Sequence, residues 1–108
     1  MAGTNGEAER PVRVEQQPRA RRQLEGLRDL AVARRVAKSF AEDLRGVLAR
    51  LAADPAGWGD PLNNYQSLGM VRRRGRSVFV YVYYTFHPQL RTVTVQGWQV
   101  NPDGPLGG

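Results

Sequence analysis

The hydrophobic residues of this chain follow two different periods, one in each half. In the first half they recur every three or four positions, which is the spacing of a single apolar stripe along an α-helix. The stripe consists of Val32, Val36, Phe40, Leu44, Val47, Leu48 and Leu51. In the second half, β-branched and aromatic residues occupy both alternating sets of positions from 78 to 86. A strand that is apolar on both faces is typical of the centre of a sheet, so the patterns predict an α+β protein.

The central strand is expected to have two distinct faces. One alternating set consists of Val78, Val80, Val82, Tyr84 and Phe86, and the other consists of Phe79, Tyr81 and Tyr83. The tyrosines are interpreted as packing residues and not as catalytic groups, since they stand inside the most hydrophobic run of the chain.

The elements of the first half follow from shorter patterns. The alternating run 11–16 predicts an edge strand, and Pro18 suits the first position of a helix. A tight connection or kink is expected around 28–30, before the helix that carries the apolar stripe. That helix is predicted to end at Pro55, because the residue before a proline is disfavoured in the α region.

The second half is predicted to form a three-stranded antiparallel meander. Residues 56–64 are rich in Gly, Asn, Asp and Pro, which predicts a loop. Gly75 is assigned to the first turn, and Gly97 is expected to shift the phase of the last strand. The three strands are expected over 65–74, 77–86 and 91–100. With the helices gathered on one side of this sheet, the prediction is a two-layer α+β fold.

The length of 108 residues allows one modest core and no second module. Residues 1–10 are small, polar and charged, and we expect them to be a disordered lead-in. The single domain is predicted over 11–101. The Gly- and Pro-rich residues 102–108 are expected to be a flexible tail.

The chain is strongly basic, with 16 Lys and Arg against 10 Asp and Glu and a formal net charge of +6. This balance favours an acidic partner, such as nucleic acid, an acidic protein segment or an anionic membrane surface. All of the basic residues except Lys38 are arginines, and such a uniform choice of arginine is also typical of a GC-rich genome. Charge alone therefore leaves the kind of partner open.

The sequence has no cysteine and a single histidine, His87. Disulfides and thiolate metal sites are thereby excluded, and a histidine-based metal site is not expected. No cofactor is predicted, since no glycine-rich phosphate loop stands between a strand and a helix. Ser-His-Asp and paired-carboxylate chemistry find no support in the spacing of the residues. With no secretory signal and no membrane span expected, the predicted location is the cytoplasm.

Arginines cluster immediately before the central strand. Arg72 and Arg74 are two residues apart on a predicted strand, so they project from one face, and Arg73 projects from the other. Arg76 and Arg91 are expected near the same end of the sheet. Because guanidinium groups bind phosphate bidentately and stay charged, this set is the candidate nucleic-acid-binding site. The pattern leaves four roles open for these arginines. They are RNA cleavage, nucleic-acid binding without cleavage, binding of an acidic peptide, and solubility of a surface hairpin.

Trp58 stands in the predicted loop and has two interpretations. It packs over the edge of the core, or it provides a stacking surface for a base or a partner. Packing is favoured, since a single tryptophan in a loop is weak support for a binding site.

The order of elements resembles the RelE/ParE superfamily of bacterial toxin–antitoxin proteins, over about residues 11–101. The resemblance rests on the edge strand and on a helical hairpin that ends in Leu51-Ala52-Ala53-Asp54-Pro55. It also rests on the basic segment 68–75, which reads Leu-Gly-Met-Val-Arg-Arg-Arg-Gly, and on the strands at 78–82 and 91–95.

The resemblance implies a toxin component of a type II system, which binds a cognate antitoxin and acts on mRNA at the ribosome or on another nucleic-acid-associated target. RNA-cleaving members use basic residues before the turn, an arginine on the next strand, and arginine with tyrosine or histidine near the C-terminus. Arg72 and Arg74 match the first set and are the implied catalytic residues. The second position falls at about Val78 and the third near Asn101, and neither carries the expected side chain.

Two further readings accompany this resemblance. A non-catalytic basic binding module on the same fold, without toxin activity, is the alternative function. The gyrase-poisoning branch of the superfamily has no comparable residue signature, so the target stays open between mRNA on the ribosome, gyrase and others.

Overall fold

The structure of the chain, a computed structural model, describes residues 12–65 and 70–107. The predicted lead-in at 1–10 and part of the predicted strand at 65–74 lie outside the described residues. The elements are β1 (Arg13–Gln16), α1 (Pro18–Ala33), α2 (Ala37–Ala53), α3 (Pro55–Trp58), β2 (Asp60–Tyr65), β3 (Met70–Arg76), β4 (Val80–His87) and β5 (Thr92–Val100). In the part of the chain that the structure describes, no helix is both long enough and apolar enough to cross a membrane.

The strands form one five-stranded sheet in the order β1-β5-β4-β3-β2. The predicted edge strand is confirmed as β1, which pairs in parallel with β5, and the antiparallel meander is confirmed as β3, β4 and β5. The phase shift near Gly97 is also confirmed, because the register of β5 slips by one residue between the partners of Tyr83 and Tyr84. The predicted two-layer α+β fold is therefore correct, with a sheet that is larger than expected.

The core lies between the sheet and the α1–α2 hairpin. Strand β4 buries Val80, Val82 and Tyr84 toward the helices, as predicted for one of its two faces. Phe79 is also buried and meets Phe40 of α2 edge to face, with 5.6 Å between ring centroids. Val78 belongs to the same alternating set in the sequence, but its side chain is 61% exposed because it stands in the turn before β4.

The connection between the two long helices lies later than predicted. Helix α1 runs through residues 28–30 without a break and ends at Ala33. The chain then reverses at Arg35, whose φ of 62° is in the left-handed region that usually favours glycine. Val32 consequently belongs to α1 and is 65% exposed, so it is not part of the stripe that α2 buries.

The predicted loop at 56–64 is wrong, because it contains helix α3 and strand β2. The side chain of Asp54 caps α3 by accepting a hydrogen bond from the Gly57 N–H at 3.1 Å, with Pro55 in the first turn. Strand β2 pairs with β3 through a register shift after Pro61, which cannot donate to the ladder. Pairing with a neighbouring strand overrides the weak strand propensity of the sequence DPLNNY.

The first turn of the meander lies beyond Gly75, which is buried inside β3. The chain turns at 77–79, where Asp43 of α2 accepts hydrogen bonds from the Ser77 hydroxyl at 2.7 Å and from the Phe79 N–H at 3.1 Å. Gly75 instead makes room for Trp58, since a Cβ at this position would lie 2.2 Å from the Trp58 ring. Trp58 also stacks on Tyr84 at 6.2 Å, so its packing role is correct.

The residues after β5 fold back onto the domain, which corrects the expectation of a flexible tail for the described residues 102–107. Leu106 is only 3% exposed and joins the core. Asn101 is equally buried, and its side-chain amide donates to the carbonyl of Ser77 at 2.8 Å. A Cβ at Gly104 would lie 2.0 Å from the carbonyl oxygen of Val78, so glycine permits this close approach.

Candidate functional site

The face of the sheet that points away from the helices, called the open face below, carries the candidate arginines Arg72 and Arg74. Arg72 and Arg74 alternate with Arg73 and the buried Gly75 along β3, and their partners show which side each takes. Arg73 reaches toward the helical layer and donates to the Gly59 carbonyl at 2.7 Å. Arg72 and Arg74 lie over tyrosines of β4 on the other side. The prediction that Arg72 and Arg74 share a face therefore agrees with the geometry.

Each of these two arginines is held by an aromatic ring. The guanidinium carbon of Arg72 lies 5.0 Å from the ring centroid of Tyr83, and that of Arg74 lies 4.8 Å from the centroid of Tyr81. In the strand register Arg72 is paired with Thr85, and Arg74 is paired with Tyr83. Each arginine therefore contacts the tyrosine that lies diagonally across from it on β4 and not its direct partner. A cation–π contact at an exposed site contributes about 0.5–1 kcal/mol, enough to favour one orientation of a flexible side chain.

One polar group beside these rings has a hydrogen-bond partner and another has none. The Tyr83 hydroxyl donates to Oε1 of Gln99 on β5 at 2.7 Å, which fixes the tyrosine from the far side. The Nε of Arg72 is buried and has no hydrogen-bond partner among the described residues. A buried N–H without a partner is costly, so the position of Arg72 over Tyr83 carries a local energetic cost.

Arg76 and Arg91 lie at opposite ends of the sheet, so the prediction that they share an end is wrong. Arg76 faces Tyr81 at the start of β4, whereas Arg91 directly precedes Thr92, which faces His87 at the other end. The six residue steps from Tyr81 to His87 span about 20 Å along a strand. Of the five predicted binding residues, Arg72 and Arg74 lie over tyrosines on the open face, and Arg76 follows them two positions later on the same strand. Arg91 lies at the far end of the sheet, and Arg73 binds the loop around residue 59.

A groove of about 500 Å³ continues along the open face beside the arginine pair. Its walls come from β1, β3, β4, β5 and neighbouring residues. They include Thr85, His87, Thr92 and Thr94, together with the ion pair Arg13–Glu15 of β1. Arg72, Thr85 and Thr94 face one another in a single row across three strands. His87 is oriented by its Nδ1, which accepts the Leu90 N–H at 3.3 Å. The groove therefore adds hydroxyl and imidazole groups to the two guanidinium groups.

Sequence reasoning missed the tyrosines, Gln99 and the threonine row as site residues. Alternation had placed Tyr81 and Tyr83 together on the second face of the central strand, and that signal pointed to this surface. The sequence alone does not distinguish the open face from the covered one, so it predicts only packing roles for these tyrosines.

The two other positions that the family resemblance singles out meet at the turn before β4. Val78 is exposed there, and Asn101 is buried beneath it. The side-chain amide of Asn101 donates a hydrogen bond to the Ser77 carbonyl in the backbone of the turn. The Oδ1 of Asn101 accepts the N–H of Asp103 at 3.0 Å, so both ends of its side chain are engaged. Neither residue offers a cation or a proton-transfer group. Among the described residues there is also no cluster of three or more His, Asp or Glu side chains that could hold a metal ion.

Beneath the arginine pair, Tyr84 links the sheet to α3. Its side chain is fully buried, and its hydroxyl donates to the Pro55 carbonyl at 2.7 Å and accepts the Gly59 N–H at 2.9 Å. Burial raises the pKa of the Tyr84 phenol above its ordinary value of 10.0, while the hydrogen bond from Gly59 and the charge of Arg73 act in the opposite direction. The phenol is therefore neutral and structural at physiological pH.

Replacement of this phenol should lower the stability of the fold measurably. Tyr84→Phe leaves the Pro55 carbonyl and the Gly59 N–H without their partner and should cost about 2 kcal/mol of unfolding free energy at pH 7. A group with a raised pKa in the folded state contributes its full stability below the unfolded pKa, here pH 10, and loses it as the pH rises through the folded pKa. Urea unfolding should show the difference between wild type and variant shrinking above pH 10. A difference that grows above pH 10 would contradict this assignment.

Comparisons with known proteins bear on the fold. No family model matches the sequence, and no curated protein matches it. A chain in the crystal structure of the toxin–antitoxin complex RelBE2 from Mycobacterium tuberculosis is similar in structure, with a TM-score of 0.58 and 22% sequence identity. The similarity covers 86% of this chain and 94% of that chain. The fold is RelE/ParE-like. The resemblance found in the sequence is therefore supported at the level of the fold.

Proposed function

We propose that this chain is the toxin component of a type II toxin–antitoxin system and that the open face around Arg72 and Arg74 contacts its target. The observation that carries the proposal is the RelE/ParE-like fold, shared over 86% of the chain with a component of a toxin–antitoxin complex. The position of Arg72 and Arg74 supports it, because they lie on the strand where the resemblance implies basic residues that bind the target.

A groove on the α1–α2 hairpin supports a protein partner. It measures about 390 Å³ and is lined by apolar residues of both helices, among them Ala31, Val32, Phe40 and Leu44. Residues 18–53 carry nine Lys and Arg against four Asp and Glu. The single ion pair among the described residues, Arg13–Glu15, lies outside the hairpin. An antitoxin segment with one apolar face and acidic flanks complements this surface.

The experiment that tests the proposal is inducible expression in bacteria, with and without the product of a small neighbouring reading frame. Wild-type protein should arrest growth, and the neighbouring product should restore growth and co-purify with it. Val32→Asp should weaken the co-purification while leaving the fold intact, because this side chain is 65% exposed. Normal growth after induction of a folded, soluble protein would count against the proposal.

A second function, a non-catalytic binding module, is favoured by the turn before β4. Val78 and Asn101 stand where the resemblance implies further catalytic groups, and neither supplies one. Translation in a bacterial extract, followed by mapping of the 5′ ends of the mRNA, separates the two functions. New mRNA ends that depend on Arg72 and Arg74 indicate a ribonuclease, and inhibition without new ends indicates binding alone.

A further inference from the structure

A polar pocket lies between α2, α3 and the end of β3. It has a volume of about 340 Å³, and its walls include Glu42, Asp43 and Arg50 of α2, Trp58 of α3 and Arg76 at the end of β3. Small-molecule pockets in proteins begin at about 300 Å³ and present a few polar groups in fixed places. Neither Arg72 nor Arg74 lines this pocket, so it is separate from the proposed target surface.

The middle of this pocket is open because α2 carries a glycine there. A Cβ at Gly46 would meet no atom within 4 Å, and its backbone is helical, so neither packing nor conformation requires a glycine. Glycine is moreover a poor helix former, which makes it a costly choice inside α2. The residues one turn before and one turn after it are Glu42 and Arg50, which lie on the same side of the helix. The missing side chain therefore leaves a gap between two opposite charges.

The charges of the pocket do not neutralise one another directly. On a helix only residues three or four positions apart meet, whereas Glu42 and Arg50 are two turns apart, about 12 Å along the axis. Within the described parts of the chain, no ion pair involves either arginine or either carboxylate of the pocket. Along α2, one end of the pocket is thus negative and the other is positive, with the gap at Gly46 between them.

Contacts with the β3–β4 hairpin and with α3 show which groups lie at each end. The Oδ2 of Asp43 accepts the Ser77 hydroxyl at 2.7 Å, which places the turn before β4 at the negative end. Helix α3 begins directly after α2, so Trp58 lies toward the positive end, where its half-exposed indole packs over Gly75. Arg76 stands between Gly75 and Ser77 and brings a second guanidinium group to the middle of the pocket.

We propose that this pocket binds a free basic amino acid such as arginine, held in an extended conformation. The α-carboxylate of the ligand binds the guanidinium groups of Arg50 and Arg76. Its side-chain cation binds the carboxylates of Glu42 and Asp43. The aliphatic chain between these two charged ends crosses Gly46.

Three properties of the pocket favour this class of ligand. It carries two carboxylates and two guanidinium groups, so a ligand with both signs of charge complements it better than a plain anion or cation. The charged ends of extended arginine are about 7 Å apart, which fits between groups two helical turns apart once the protein side chains reach inward. The indole of Trp58 offers an apolar surface to the chain of the ligand.

The test adds L-arginine to isotope-labelled protein and follows the indole N–H signals of Trp58 and Trp98 by NMR. The Trp58 signal should shift until it saturates, with a Kd of about 0.1–1 mM, a range set by the small number of ligand atoms. Trp98 is the internal control, because its buried indole donates to Gln16 at 2.9 Å and lies outside the pocket. Agmatine lacks the carboxylate of arginine and citrulline lacks its side-chain charge, so each should bind about tenfold more weakly.

Variants of the protein test the gap and the two charged ends separately. Gly46→Val fills the gap and should weaken arginine binding by about tenfold or more. Gly26→Val in α1 is the matched control, because this position is equally open but lies outside the pocket, and binding should be unchanged. Both variants should fold, since the added Cβ meets no atom within 4 Å. Arg50→Gln should weaken the binding of arginine but not of agmatine, and Glu42→Gln should weaken the binding of arginine but not of citrulline.

Three results would overturn the proposal. They are the absence of a saturable shift of the Trp58 signal, wild-type affinity in Gly46→Val, and binding of agmatine, citrulline or inorganic phosphate as tightly as arginine. Growth arrest by a protein that binds no arginine would overturn the pocket and leave the toxin proposal standing. Arginine binding without growth arrest would do the reverse.

Discussion

Gly75→Val should strongly destabilise the fold, because the added side chain clashes with Trp58. Even a Cβ at this position lies 2.2 Å from Cζ3 and 2.5 Å from Cη2 of Trp58, so the indole must leave its place. That movement also breaks the stack of Trp58 on Tyr84. The expected cost is about 3 kcal/mol, which corresponds to a fall of about 10 °C or more in Tm.

The matched control for this substitution is Gly46→Val in α2. A Cβ at Gly46 meets nothing within 4 Å, and valine has at least the helix propensity of glycine. Its unfolding free energy should stay within about 0.5 kcal/mol of wild type. Denaturant unfolding of both variants measures the contrast. Equal stability of the two variants would show that Trp58 does not pack on β3 as described.

Arg72→Ala combined with Arg74→Ala should abolish the growth arrest that we expect from the wild-type protein. Both side chains lie on the open face above tyrosine rings and not among the buried residues of the core. Their loss removes two phosphate-binding cations from the proposed target surface while the helical layer is untouched. The measurement is growth rate after induction, at equal levels of soluble protein and with Tm recorded for each variant.

A control with the same loss of charge is available on the other side of the molecule. Arg21 and Arg22 are exposed on α1, which packs against the face of the sheet opposite the arginine–tyrosine pairs. Arg21→Ala with Arg22→Ala should arrest growth as wild type does. If both double variants relieve the arrest equally, net charge and not the open face is responsible.

Much of the fold followed from periodicity, and its errors have identifiable physical causes. The stripe of α2 and the alternation of β4 were visible because both elements bury one face against a core. Strand β2 was not visible, since DPLNNY has no strand pattern and becomes a strand only by pairing with β3. The connection between α1 and α2 is not visible in the sequence, because Arg35 adopts a positive φ where a glycine would normally be expected.

The site was predictable only in part, because its geometry depends on register. Alternation was enough to place Arg72 and Arg74 on one face and Arg73 on the other. With the turn assigned to Gly75, however, no sequence argument brings the tyrosines of β4 beneath those arginines. The turn at 77–79 sets the pairing of Arg74 with Tyr83, and Asp43, distant in sequence, holds that turn. Leu106 was missed for a similar reason, since one leucine among glycines and prolines carries no periodic signal.

The most direct test of the central claim is a growth curve after induction of the wild-type chain in bacteria, alone and together with the product of the neighbouring reading frame. The toxin proposal predicts arrest by the chain alone, recovery with the neighbouring product, and recovery with the Arg72→Ala and Arg74→Ala variant. Unimpaired growth at a high level of folded wild-type protein would contradict it.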